Sequence, residues 1–178
     1  MTHFAREYGN ALFELAMEEK IAEEVAAQLE MLEQCFSQQP DYIRLLCTRS
    51  IDSDTRIALL DQAFGGQVHA YLINFMKILI GRGAMDYFNE CAQVYRVRFN
   101  EAFGIAEAVV TSAAPLDEPQ LAALKEKLSA MAGKQVKIHT QVDPQLIGGM
   151  QVDLEGRRYD NSIRTRLDGL RRTLTDSE

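Results

Sequence analysis

Three histidines, three cysteines, the adjacent acids Glu18-Glu19 and Glu23-Glu24, and Ser162 close to Asp160 are residues of this 178-residue chain whose types invite chemistry. Their spacing does not assemble it. His3, His69 and His139 fall on different segments, without a Cys, Asp or Glu at a spacing typical of metal ligation or a catalytic pair. Cys35, Cys47 and Cys91 are odd in number and far apart, with no CxxC pair, which predicts reduced core thiols. Glu18-Glu19 and Glu23-Glu24 are neighbours in sequence, but adjacent helical positions point apart and meet water. Ser162 follows Asp160 and Asn161, a combination that before an apolar helical stripe reads as an N-cap rather than an activated nucleophile.

Phosphate-binding loops fare no better. Gly81-Arg82-Gly83 lacks the third glycine and the preceding strand of a dinucleotide fingerprint, and no GxxxxGK[ST] occurs. Gly148-Gly149 precedes a strand pattern rather than a helix N-terminus, so it reads as a turn needing positive φ. No catalytic residue, cofactor or metal site is therefore expected.

The elements that would position any site fall into two halves with different hydrophobic periods. Through Phe103 the apolar spacing is helical throughout; after Gly104 alternation of period two appears. Thr2 can cap a first helix with Phe4, Tyr8, Ala11, Leu12 and Leu15 on one stripe, widened by Gly9, Phe13 and Ala16. Ile21, Val25, Leu29, Leu32 and Phe36 mark a second helix stopping near Pro40, and Asp41–Cys47 a third. Asp52 or Ser53 caps a fourth that ends at Gly65-Gly66. Val68 to Ile80 reads as a fifth helix, apolar nearly all round, which must be enclosed by its neighbours or covered by a partner. Phe88 to Ala102 lays out a sixth.

The remainder reads as a small mixed domain. A strand over Glu107–Ser112 leads to a turn and cap at Pro115–Glu118, then a helix with Leu121, Leu124, Leu128 and Met131 on one face, ended by Gly133. Val136, Ile138, Thr140 and Val142 alternate with polar residues, as do Met150, Val152 and Leu154, so each set predicts a strand with one buried face. Glu155-Gly156 is a two-residue hairpin turn, and a final helix buries Ile163, Leu167, Leu170 and Leu174. The expected fold is mainly α with a smaller α+β part: an N-terminal six-helix bundle over residues 1–104 and a C-terminal α/β domain over 105–178.

Charge is unevenly divided. The chain carries a net −7, yet residues 157–172 hold six arginines against two aspartates, while residues 1–103 hold nine basic and fifteen acidic side chains. General nucleic-acid binding is disfavoured by that balance. No apolar run reaches the ~20 residues that a transmembrane helix needs, since Tyr71–Ile80 is interrupted by Asn74 and Lys77. The opening residues lack a basic and apolar leader, so cytoplasmic residence is expected.

Ala5 to Ala16, Ile73 to Ile80 with Gly83-Ala84-Met85, and Asp143 to Leu170 together resemble the delta subunit of bacterial F-type ATP synthase, called OSCP in mitochondria. The likeness runs in order along nearly the whole chain. It departs at Asn161, where the family commonly has Gly between Asp and Ser, and Asn is the non-glycine residue that best tolerates positive φ. It departs also at Arg157-Arg158, which replaces a more mixed pair.

The resemblance implies a non-catalytic stator subunit. Its bundle would bind N-terminal helices of the alpha subunits of the catalytic head, with Tyr8, Ala11, Leu15 and Ile78 packing on the alpha helix. Its C-terminal domain would bind the membrane-anchored b subunits, with Gly148, Gly149, Arg164 and Arg166 near their ends. The subunit would be peripheral, at the cytoplasmic face of the bacterial inner membrane, and would hold the head against rotor torque. Two rival readings are a helical RNA-binding regulatory factor and a small enzyme; the first predicts salt-sensitive RNA binding and the second a pocket of perturbed ionisable groups.

Overall fold

The computed structural model describes residues 2–146 and 148–160. The chain divides into two compact units, Met1–Glu101 and Ala102–Glu178. The first is wholly helical: α1 (His3–Glu18), α2 (Ala22–Gln38), α3 (Pro40–Cys47), α4 (Ser53–Phe64), α5 (Ala70–Gly81) and α6 (Phe88–Phe103), with a 3-10 turn at Met85–Tyr87 leading into α6. The second holds β1 (Ile105–Ser112), α7 (Glu118–Ala132), β2 (Gln135–Val142), β3 (Met150–Leu154) and β4 (Arg157–Asp160).

Local chemistry sets most helix starts. The Thr2 hydroxyl accepts from the Ala5 amide at 3.3 Å, and the Asp52 carboxylate from the Asp54 amide at 3.0 Å. Pro40 opens α3 rather than merely closing α2, because a first-turn proline gives up an amide that has no helical partner. The fifth helix begins two residues later than the sequence suggests. His69 lies outside it and caps it, its Nδ1 accepting from the Tyr71 amide at 3.3 Å.

Every bundle helix contributes to one apolar core, whose fully enclosed large side chains include Leu32, Leu46, Leu60, Leu72, Met76, Leu79, Phe88 and Tyr95. Tyr95 carries a hydroxyl into that core and satisfies it by donating to the Ala22 carbonyl at 2.9 Å. Burial raises its ionisation above the ordinary phenol range. Two arginines fasten the connections. Arg56, 6% exposed, donates to the carbonyls of Leu46 and Ile51, and Arg49 donates to the Gly83 carbonyl at 3.0 Å.

α1 explains its own double stripe. Gly9, Phe13 and Ala16 are buried alongside Ala5 and Leu12, because α1 packs on α2 and also crosses α6. At the crossing a Cβ on Gly9 would sit 2.7 Å from the Cys91 carbonyl oxygen and 2.7 Å from the Val94 Cβ. Phe13 meets Tyr95 edge-on with ring centroids 5.5 Å apart. The widening of the stripe by Gly9, Phe13 and Ala16 is consumed by this second contact inside the unit.

In the second unit the strand order is β2-β1-β3-β4. β1 and β2 are parallel, joined by α7 as the crossover, and β3 and β4 form an antiparallel hairpin on the other side of β1. A capping box between Asp117 and Gln120 starts α7, and Gly133 ends it at φ 65°. The Glu155-Gly156 turn has positive φ at both residues, 50° and 80°, the conformation that a two-residue hairpin with right-handed twist requires.

Buried Ala106, Ala108, Val110, Val136, Val152 and Leu154 line one sheet face, under Leu128 and Leu124 of α7. Two expectations need correction here. Met131 is 60% exposed and Ala132 takes the packing position at the end of α7. On β2, the edge strand of the sheet, only Val136 is fully buried, and Thr140 and Val142 are left open. The expected final helix over Ile163–Leu174 and the Ser162 cap lie outside the described residues.

The α1–α6 crossing leaves no room for a methyl group. Gly9→Ala is expected to destabilise the helical unit by about 1–3 kcal/mol, read as a lower urea midpoint at unchanged slope. An unchanged midpoint would show that the helices separate freely there.

Candidate functional site

The residues available for chemistry are dispersed in the structure. His3 is exposed one turn from Glu7, at 4.0 Å, an i,i+4 pairing that the spacing of the sequence already contained. His69 is engaged as a helix cap, and His139 stands exposed on β2. Among the described residues no group of three or more His, Cys, Asp or Glu side chains is arranged to hold a metal ion. Cys91 is buried, whereas Cys35 and Cys47 are only half-buried. Burial pushes the Cys91 thiol up to about 11, and burial with the Asp86 carboxylate pushes Cys47 up to about 12, so both are protonated near neutrality.

Two clefts open on the helical unit. One, of about 480 Å³, lies between α3 and the start of α6, with Ile43, Met85 and Phe88 on its walls and Arg44, Thr48, Asp86 and Asn89 at its polar edge. The other, of about 420 Å³, runs along the α1–α6 crossing beside Arg6, Asn10, Val94, Val97, Arg98 and Glu101. The first also holds the Cys47 thiol beside the Asp86 carboxylate, a contact that keeps the thiol protonated rather than activating it, and the second has no nucleophilic side chain on its walls. What the surface offers instead is side-chain area suited to packing.

The four residues expected to contact a partner helix sit on two elements. On α1, Tyr8 and Leu15 are half-buried and Ala11 is exposed. On α5, Ile78 is 48% exposed. The fifth helix is not apolar all round in its setting: Leu72, Ile73, Phe75, Met76, Leu79 and Ile80 are buried, while Ala70, Asn74, Ile78 and Gly81 form an exposed stripe. Lys77 beside that stripe is paired with Asp61 of α4 at 2.7 Å. Ile78 is thus an apolar residue left in water on a helix whose other large apolar residues are enclosed.

Two aromatic residues join this surface that the sequence reading left out of it. Phe4 stacks on Tyr8 with centroids 4.2 Å apart, and Tyr87 of the 3-10 turn lies 5.6 Å from Phe4. Phe4 was visible only as a helix stripe position; Tyr87 lay in the link between two helices, where no periodicity marks it.

The first turn of α1 is tied down close by. One Glu90 carboxylate oxygen accepts from the Thr2 amide at 2.8 Å and from the Thr2 hydroxyl at 3.1 Å. These contacts, chiefly the backbone amide, hold Glu90 below the usual carboxylate range.

In the second unit, Gly148 donates its amide to the Leu146 carbonyl and Gly149 takes φ 81°, so the pair shapes the return from β2 to β3. The Asp143 carboxylate steadies the same turn by accepting from the Gln145 amide at 2.9 Å. Arg164 and Arg166 lie outside the described residues. On the described hairpin Arg157 and Arg158 are exposed, and Arg158 donates to the Gln151 side chain.

Comparison with known proteins agrees with this surface without chemistry. The sequence model of the ATP synthase delta (OSCP) subunit matches residues 4–174. ATP synthase subunit delta of Desulfitobacterium hafniense (strain Y51) is 34% identical over 171 residues, covering 96% of each chain. That of Chloroherpeton thalassium is 32% identical over 95% of this chain and 92% of its own. In fold, the chain is similar to one in the cryo-EM structure of the Toxoplasma gondii mitochondrial ATP synthase hexamer, with TM-score 0.72 and 17% identity over 98% of both.

The Thr2–Glu90 tether has a defined pH dependence. Because the folded-state carboxyl is held low, its contribution is complete above the ordinary carboxylate range and is lost as pH falls through the folded value. Amide protection factors in the first turn of α1 should therefore drop on acidification. In Glu90→Ala they should be low and flat with pH; wild-type protection in that variant would rule the tether out.

Proposed function

The chain belongs to the ATP synthase delta (OSCP) subunit family and is a non-catalytic stator subunit of the ATP synthase peripheral stalk; from that premise we propose which surfaces it uses. The helical unit binds an N-terminal helix of an alpha subunit of the catalytic head, on a seat that includes Tyr8, Ala11, Leu15 and Ile78. The observation that carries this reading is the exposure of Ala11 and Ile78 on helices most of whose other apolar residues are buried within the unit. A partner helix that packs its apolar ridge there removes those side chains from water without asking the bundle to rearrange.

The C-terminal unit binds the ends of the b subunits, near the Gly148-Gly149 turn and through Arg164 and Arg166. The local excess of arginine over acid in residues 157–172 favours acidic side chains on that partner. No helix among the described residues is long and apolar enough to cross a membrane. We place the subunit peripherally, at the cytoplasmic face of the bacterial inner membrane, reached through the b subunits. Resistance to torque asks for slow dissociation, which enclosed apolar packing supplies better than exposed ion pairs.

Ala11 is a clean place to test the seat because it is exposed: a substitution there is expected to alter the stability of the unit by no more than about 0.5 kcal/mol. Ala11→Asp should weaken binding of an alpha N-terminal peptide tenfold or more in calorimetry. Unchanged affinity would remove the seat from α1. Native mass spectrometry of the intact chain with the detached catalytic head and with b-subunit cytoplasmic fragments should yield both complexes. Failure to form either, with all partners folded, would overturn the two-ended assignment.

A further inference from the structure

We propose that Tyr87, carried by the turn between α5 and α6, is an anchor of the alpha-helix seat and grips the partner's apolar ridge together with Phe4 and Tyr8. This deepens the reading above and rests on it. The three rings form a row: Phe4 on Tyr8 at 4.2 Å with 22° between planes, then Tyr87 at 5.6 Å from Phe4 and 46°. The turn that carries Tyr87 packs on α5, while Tyr87 itself meets α1 through Phe4. The turn thus adjoins both helices assigned to the seat, and it packs on α3 as well.

Tyr87 is not exposed by looseness of its turn. Met85 and Phe88, either side of it, are each 1% exposed and fix the backbone in the core, and the Tyr87 amide donates to the Ala84 carbonyl at 3.0 Å. Between those two buried side chains Tyr87 is 37% exposed. The Thr2–Glu90 tether holds the first turn of α1, and with it Phe4, on the other side of the row. A large ring already held in place has little rotamer freedom to lose on binding, the condition under which an aromatic residue dominates an interface.

The surroundings specify the occupant. Glu7, next in the chain to Tyr8, is exposed with the exposed His3 at 4.0 Å, whereas Asp86, next to Tyr87, is engaged by Cys47 in the cleft that Arg44 also lines. An aromatic row with a carboxylate at its α1 border gives a phosphate backbone no cation to hold and accepts the apolar ridge of a helix with lysine or arginine at that border. That is an amphipathic peptide helix, continuous with the seat on α1 and α5.

The test uses the full chain and a synthetic peptide of the alpha-subunit N-terminal helix. Tyr87→Ala should lower affinity at least tenfold, whereas Tyr87→Phe should stay within about threefold of wild type, because the ring faces and not the hydroxyl make the contact. The chain has no tryptophan, so Tyr87→Trp places a single indole reporter in the row. Its emission should shift to the blue as the peptide saturates, and this readout survives if the alanine variant fails to fold. If Ala11→Asp weakens binding while Tyr87→Ala does not, or if the Trp emission stays constant through saturation, the anchor is overturned and the seat stands. If neither Ala11→Asp nor Tyr87→Ala changes affinity, the seat falls and the anchor with it.

Discussion

The near-contact of two backbones at Gly9 governs the helical unit. With no side chain at that position, α1 lies against the Cys91 carbonyl and the Val94 side chain, and the rest of the helix is aligned by that crossing. Phe13 then reaches Tyr95, and Tyr95 reaches the carbonyl of Ala22 at the start of α2. A chain of contacts thus joins α1, α6 and α2 around a buried phenol. With two sides of α1 committed in this way, Ala11, Met17 and the half-buried Phe4, Tyr8 and Leu15 are the apolar residues left toward the surface. Internal packing determines the binding face by leaving it over.

The second unit is organised around β1, which has a neighbour on each side and whose inward residues are small: Ala106, Ala108, Val110 and Ser112. Small side chains at the centre let α7 descend onto the sheet, and Leu128 fills the space between them. Ser112, the polar member of that row, donates to the Ala114 carbonyl at 2.7 Å. Gln151 and Asp160 are bonded across β3 and β4, and Lys134, just before β2, pairs with Glu155 of the hairpin turn at 2.5 Å. These are exposed contacts that fix register more than they add stability.

Features with a local cause were readable from the sequence. Thr2, Asp52 and Gly133 act where their chemistry places them, and Glu155-Gly156 makes the turn that its type allows. What the sequence concealed depends on neighbours distant in the chain. Whether Gly9 merely widens an apolar stripe or permits a crossing is decided by Val94, eighty-five positions away. The exposed stripe on α5 depends on how many helices surround it, which periodicity does not count. Val142 follows the strand pattern faithfully and is still 51% exposed, because alternation reports which face a residue is on and not whether anything covers that face. Tyr87 was missed for a different reason: a three-residue turn is too short to carry any period.

Arg56 donates to the carbonyls of Leu46 and Ile51, and Arg49 to that of Gly83. These acceptors are peptide groups, which neither gain nor lose a proton in any aqueous range a cell visits. Had the same guanidinium groups been held by carboxylates, the connections between α3 and α4 and between α5 and α6 would loosen whenever acidity rose. A part that must stay dimensionally constant beside a machine that moves protons therefore has hinges whose fastening does not register the fuel.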